Sequence, residues 1–186
     1  MSIPAAASRS TRDTQQSRNA AAPALCGRQR LRHPSHQASE DTMFTVSISE
    51  KIGRPPEAVF AFAGDYANDP LWRKGVLAMS YESSGPPGIG TRTRETMRSM
   101  GRTAVTVAEV TEYSSFRTAF RSLSGPVPCD GTREFVASGT GTVFTYSLTL
   151  RPVGFLRLLE PILKFVFLKQ VRTDLRRLKL HLEAQA

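Results

Sequence analysis

The stretch from Gly154 to Ala184 constrains this chain more than any other. Leu158, Leu159, Ile162, Val166, Val171, Leu175, Leu178 and Leu182 recur mostly at three-, four- and five-residue steps. That spacing predicts a helix with an apolar stripe along one side. Arg157, Lys164, Lys169, Arg172, Arg176 and Lys179 take the opposite side. A continuous helix of this size reaches roughly 45 Å at about 1.5 Å per residue, more than a small domain needs for a cap. Pro161 removes a backbone donor near its start, which predicts a short initial turn followed by a bend. The run from Phe165 to Leu168 is apolar on every side, so its outer residues call for a cover, a partner or a ligand. A helix of this kind must lie on a surface, and the preceding residues have to supply it.

They read as strands. Phe44, Val46 and Ile48 alternate with Thr45, Ser47 and Ser49, the pattern of a half-buried strand. Pro56 and Glu57 then open a helix with Val59, Phe60 and Phe62 or Ala63 facing inward, and Gly64 stops it. Asp69 is placed to cap a second short helix starting at Pro70. Six further strands are predicted at Val76–Ser83, Gly90–Ser99, Arg102–Tyr113, Ser115–Leu123, Thr132–Ser138 and Thr142–Arg151, with Gly- and Pro-containing turns between most of them. A meander of this size curls, and one amphipathic helix laid in its concave side closes it economically.

The order of elements resembles the helix-grip fold of the START/SRPBCC superfamily, in its polyketide cyclase/dehydrase-like branch. Three passages carry the resemblance over residues 43–184. They are Pro56-Glu57-Ala58-Val59-Phe60 leading to Asp65 and Trp72, the Gly88-Ile89-Gly90-Thr91 turn, and Gly141-Thr142-Val143-Phe144-Thr145-Tyr146 running on to Leu158-Leu159-Glu160-Pro161. The resemblance implies an α+β fold: a curved antiparallel sheet of about seven strands wrapped around a long C-terminal helix, with two short helices after the first strand. It also implies a deep cavity between sheet and helix.

Side chains expected to line such a cavity are Trp72, Met97, Phe120, Phe144, Tyr146, Leu148, Ile162 and Val166. Trp72 reads first as core packing between the short helices and the sheet, and second as a ligand contact at the mouth. Tyr146 shares a strand face with Phe144 and Leu148, so its hydroxyl is expected to be buried with a hydrogen-bond partner. Glu95 shares a face with Thr91, Thr93 and Met97, while Arg92, Arg94 and Arg98 share the other. If the arginines face water, Glu95 faces inward and pairs with a cation or titrates high; an exposed cross-strand ion pair is the alternative. Arg117 and Arg121 read as solvated. Glu95 and Tyr146 are the candidates for catalysis.

Histidine argues against a His-centred triad or metal site: of three, His33 and His36 precede the domain and His181 lies in the last helical turn. Cys26 and Cys129 form no metal spacing, and a reduced, cytoplasmic protein is the simpler expectation. Gly85-Pro86-Pro87-Gly88-Ile89-Gly90 joins two strands rather than opening a helix, so neither phosphate binding nor any other cofactor is expected. Residues 1–42 carry six arginines against three acids and lack periodicity and aromatic residues. They read as a disordered basic leader, as a transit peptide, or as the product of a start assigned upstream of Met43. The remaining charge of the +9 total is spread along residues 43–186 without an aromatic stacking platform, which argues against nucleic acid as a partner.

The leading expectation is therefore a binding module for a small hydrophobic or amphipathic molecule, such as a lipid, polyketide or quinone-like compound. A cyclase/aromatase-type enzyme without metal is the alternative. Transient contact with a membrane surface through Phe165–Leu168, flanked by Lys164 and Lys169, is a third. Several polar side chains converging inside the cavity would favour the enzyme; a single one in an apolar lining would favour the carrier.

Overall fold

A computed structural model describes residues 43–99 and 101–185; the expected leader, residues 1–42, lies outside them. Strand β1 (Phe44–Ile52) is followed by helix α1 (Pro56–Ala63), a 3-10 turn (Tyr66–Asn68) and the short helix α2 (Asp69–Trp72). Strands β2 (Val76–Tyr81), β3 (Arg92–Ser99), β4 (Arg102–Ser114), β5 (Arg117–Ser124), β6 (Cys129–Ser138) and β7 (Gly141–Leu150) come next. A second 3-10 turn (Gly154–Leu159) leads into α3 (Glu160–Glu183). The strands form one antiparallel sheet in the order β1-β7-β6-β5-β4-β3-β2, curled into a half-barrel with α3 as the grip.

The alternation that predicted β7 sets its faces. Phe144, Tyr146, Leu148 and Leu150 are buried, and Thr145, Ser147 and Thr149 point outward. There they meet the outer residues of β1 in register, as hydroxyl pairs Thr45–Thr149, Ser47–Ser147 and Ser49–Thr145 at 2.7–2.8 Å. On the inner face Phe44, Val46 and Ile52 join Val59 and Ala63 of α1, Trp72, Phe135 and the helix leucines in one core. Each such large side chain contributes about 1.5–3 kcal/mol by leaving water.

Pro161 does not bend α3. It occupies the first turn, where its missing N–H has no helical partner to lose, and the initial turn expected before it is a 3-10 turn. The 24 residues of α3 bury Leu163, Val171, Asp174, Leu175, Leu178 and Leu182. Ile162 and Leu158, expected on that stripe, are instead 58% and 78% exposed. The five-residue step from Val166 to Val171 turns through about 140° at 3.6 residues per turn. Ile162 and Val166 therefore leave the stripe that Val171, Leu175 and Leu178 define, and Leu163 and Phe167 continue it.

The helix is fastened chiefly towards its C-terminal end. Asp174 accepts from the Lys74 backbone N–H (3.0 Å), Lys179 donates to the Lys51 carbonyl (2.8 Å), and Glu183 accepts from the Gly53 N–H (2.7 Å). His181 lies against Phe62, ring centres 4.7 Å apart. At the N-terminal end Leu163 is the buried contact, while Phe155 and Phe165 are 70% and 66% exposed.

Candidate functional site

A cavity of about 650 Å³ lies between the inner face of the sheet and the first turns of α3, within the range of about 300–1,000 Å³ common for small-molecule sites. Exposure along its lining gives it a direction. Buried Tyr66, Asp69, Arg73, Arg133 and Tyr146 form a closed end, and exposed Arg102, Thr103, Pro126 and Phe155 mark the mouth. Between them the wall is apolar: Met97, Phe120, Leu148, Leu150, Leu163 and Phe167. Phe120 owes its position to Gly131, directly opposite it on β6. A Cβ on Gly131 would sit 2.3 Å from the Phe120 ring, so only glycine leaves that ring room.

The closed end holds a buried charge network. Strand alternation turns Arg133 inward between Gly131 and Phe135, fully buried. Its guanidinium donates to Asp69 Oδ2 (2.6 Å) and to the Ala63 carbonyl at the end of α1 (2.8 Å). It also lies over the Tyr66 ring, 4.3 Å from the centroid, a cation–π geometry. Arg73, just after α2, donates from one nitrogen to Asp69 Oδ2 (2.9 Å) and to Glu95 Oε2 (2.5 Å). Burial alone would depress both guanidinium pKa values. For Arg73 the opposing pull of Glu95, Tyr146 and Asp69 raises it well above the usual value. For Arg133, Asp69, Tyr66 and Tyr146 do the same. Both are permanent cations held by carboxylates.

Tyr146 stands beside this network, 2% exposed, with Arg73 and Arg133 each within 6 Å of its ring. Burial pushes its phenol up to about 12 against the downward pull of the two arginines, so it stays protonated at neutral pH. Its hydroxyl, expected to be satisfied, has no hydrogen-bond partner among the described residues. The neighbouring phenol of Tyr66 differs: it donates to Thr118 Oγ1 at 3.1 Å. Cys129 also lines the cavity, its thiol pushed up to about 11 by burial, which leaves it a weak nucleophile.

The structure thus gathers Met97, Phe120, Tyr146, Leu148 and Glu95 at one cavity and leaves four expected residues outside it. Trp72 and Phe144 are fully buried in the core behind, edge to face at 6.1 Å. Ile162 is on the outer side of α3, and Val166 faces a shallow surface hollow with Lys169. Glu95 points inward with a cation, the first of the two inward outcomes, and Arg92, Arg94 and Arg98 face out. Arg117 and Arg121, read as solvated, form ion pairs at the surface with Glu112, Glu134 and Asp130. Asp69 does not cap α2. Asn68 holds that position without a side-chain bond, and the Asp69 carboxylate turns into the network instead. Arg133 and Arg73 were not anticipated. The available signal for Arg133 was its place two residues before Phe135, on the inward face of a strand. Among the described residues no three of His, Cys, Asp and Glu gather to hold a metal, and no helix is long and apolar enough to cross a membrane.

A family model described as polyketide cyclase / dehydrase and lipid transport matches residues 43–183. Among solved structures, the protein TTHA0849 from Thermus thermophilus is 25% identical with a TM-score of 0.68, over 77% of this chain and 99% of that one. A START superfamily protein from Mycobacterium smegmatis is 14% identical (TM-score 0.65; 76% and 99% covered). The Zhui aromatase/cyclase from Streptomyces sp. R1128 is also 14% identical (TM-score 0.66; 76% and 94% covered). The last two likenesses show the fold. Comparison with curated proteins found no match.

Proposed function

The chain belongs to the polyketide cyclase/dehydrase and lipid transport family, and on that premise we propose that it binds a small hydrophobic or amphipathic molecule in the cavity under α3. The observation that carries this reading is the cavity itself: a volume of about 650 Å³ walled by Met97, Phe120, Leu148, Leu150, Leu163 and Phe167, with one partnerless hydroxyl, that of Tyr146, at its closed end. An apolar wall with its few polar groups gathered at one end fixes a ligand's orientation without demanding chemistry of it. Native mass spectrometry of the protein as purified tests the reading: a co-purifying molecule of a few hundred daltons is expected. Protein that arrives empty and takes up none of a panel of lipids, polyketides and quinones would sink it.

One observation favours a second reading, an aromatase/cyclase-type enzyme. Glu95, Arg73 and Tyr146 converge at the same end of the cavity, as an acid–base reaction on a folded polyketide chain would need. Arg73 and Arg133 are committed to carboxylates, which is why binding takes precedence here. Turnover of a poly-β-keto substrate that disappears in Tyr146→Phe, with the fold intact, would reverse that order.

A further inference from the structure

The closed end of the cavity is electrically balanced. Asp69 accepts from both Arg73 and Arg133, and Glu95 accepts from Arg73. The Asp69 and Arg133 side chains are fully buried, and those of Arg73 and Glu95 are 8% and 15% exposed. Two cations thus face two anions, and a third anion brought here would meet no uncompensated positive charge. The Tyr146 hydroxyl is different. It lies in a residue 2% exposed, in the cavity lining, with no partner among the described residues.

We propose that the ligand enters with an uncharged oxygen leading, a phenol, ketone or alcohol that hydrogen-bonds Tyr146, and that carboxylates are rejected from this end. A carboxylate placed there would bring the buried site to a net negative charge and lose its own hydration, both costly in a low-dielectric interior. A neutral oxygen loses far less hydration and gains a hydrogen bond with the Tyr146 hydroxyl. The apolar wall from Leu148 to Phe167 then holds the carbon skeleton towards the mouth. This inference rests on the binding reading above and specifies the ligand class for the same cavity.

Two probes that differ only in the polar group test it: 2-naphthol and 2-naphthoate, titrated calorimetrically into the full chain at pH 7. Naphthol is expected to bind at least tenfold more tightly. Tyr146→Phe, which removes a hydroxyl with no protein partner and so leaves the melting temperature unchanged, should weaken naphthol several-fold and leave naphthoate as it was. Glu95→Gln removes one of the two anions and should strengthen naphthoate. Naphthoate binding as well as naphthol overturns the inference while leaving the carrier reading intact. A naphthol preference that survives Tyr146→Phe overturns the role given to Tyr146. Binding of neither probe, nor of longer amphipathic chains, removes the carrier reading and this inference with it.

Discussion

Arg133→Met is the substitution whose outcome the structure specifies most fully. Methionine keeps much of the stem and removes only the guanidinium, which is fully buried and reaches Asp69 at 2.6 Å and the Ala63 carbonyl at 2.8 Å. Removing one partner of a buried ion pair costs about 3–5 kcal/mol because the other charge stays buried. Here Arg73 still holds Asp69, which argues for the lower end of that range. The orphaned Ala63 carbonyl adds about 1–3 kcal/mol, and the lost position over Tyr66 adds about 0.5–2 kcal/mol. A loss near 5 kcal/mol is expected, a large share of the roughly 5–15 kcal/mol that holds most domains together. Urea unfolding followed by the emission of Trp72, the sole tryptophan and fully buried, measures it directly. Asp69→Asn added to Arg133→Met should cost much less than the two separate losses combined, because the second change removes the stranded charge. A loss under about 1 kcal/mol, or strict additivity of the pair, would refute the buried network as drawn.

Two further outcomes follow from α3. Leu163→Trp, on the cavity wall, should abolish uptake of a hydrophobic dye with little change in stability, whereas Ile162→Trp, on the exposed side, should alter dye binding not at all and stability by under about 0.5 kcal/mol; the opposite pattern would mean the helix is rotated. Asp174 is 3% exposed and its carboxyl is raised above the usual 3.8 by burial, against the lowering hydrogen bond from Lys74 and charge of Arg73. A raised acid favours the folded state most below its unfolded pKa, and that advantage is lost as pH rises through the folded value. Asp174→Asn lacks this decline, so its melting temperature relative to the parent should climb between pH 4 and pH 7, and a constant gap would contradict the assignment.

The sheet was legible in the sequence because alternation is a local property. Phe144, Tyr146 and Leu148 reveal their face without reference to any other strand, and the arginines of β3 reveal where Glu95 must point. The phase of α3 was not, for two physical reasons. Phe165–Leu168 is apolar in every direction and fixes no face. The 3-10 turn at Gly154–Leu159 advances about three residues per turn rather than 3.6, so a stripe counted through it drifts. The charge network escaped for a different reason. Asp69 and Arg133 stand 64 positions apart, and an Asp-Pro pair at a helix start has an adequate local explanation as a cap. Only the curl of the sheet, which brings β6 over α2, replaces that explanation with a distant partner.

The uneven fastening of α3 separates two time scales. Hydrogen bonds from Asp174, Lys179 and Glu183, together with Leu175, Leu178 and Leu182, tie the C-terminal half to the loops and core. Opening that half exposes the centre of the domain and approaches global unfolding in cost. In the segment from Phe155 to Phe165 only Leu163 is fully buried, with Leu156 and Leu159 partly so, and it can open as a small cooperative unit of its own. Amide hydrogens should therefore exchange orders of magnitude faster at the start of α3 than past Val171. A bound molecule that fills the space under Leu163 and Phe167 would slow the fast end alone. Ligand residence then becomes a property of about three turns at the start of this segment, and the lifetime of the fold a property of the rest.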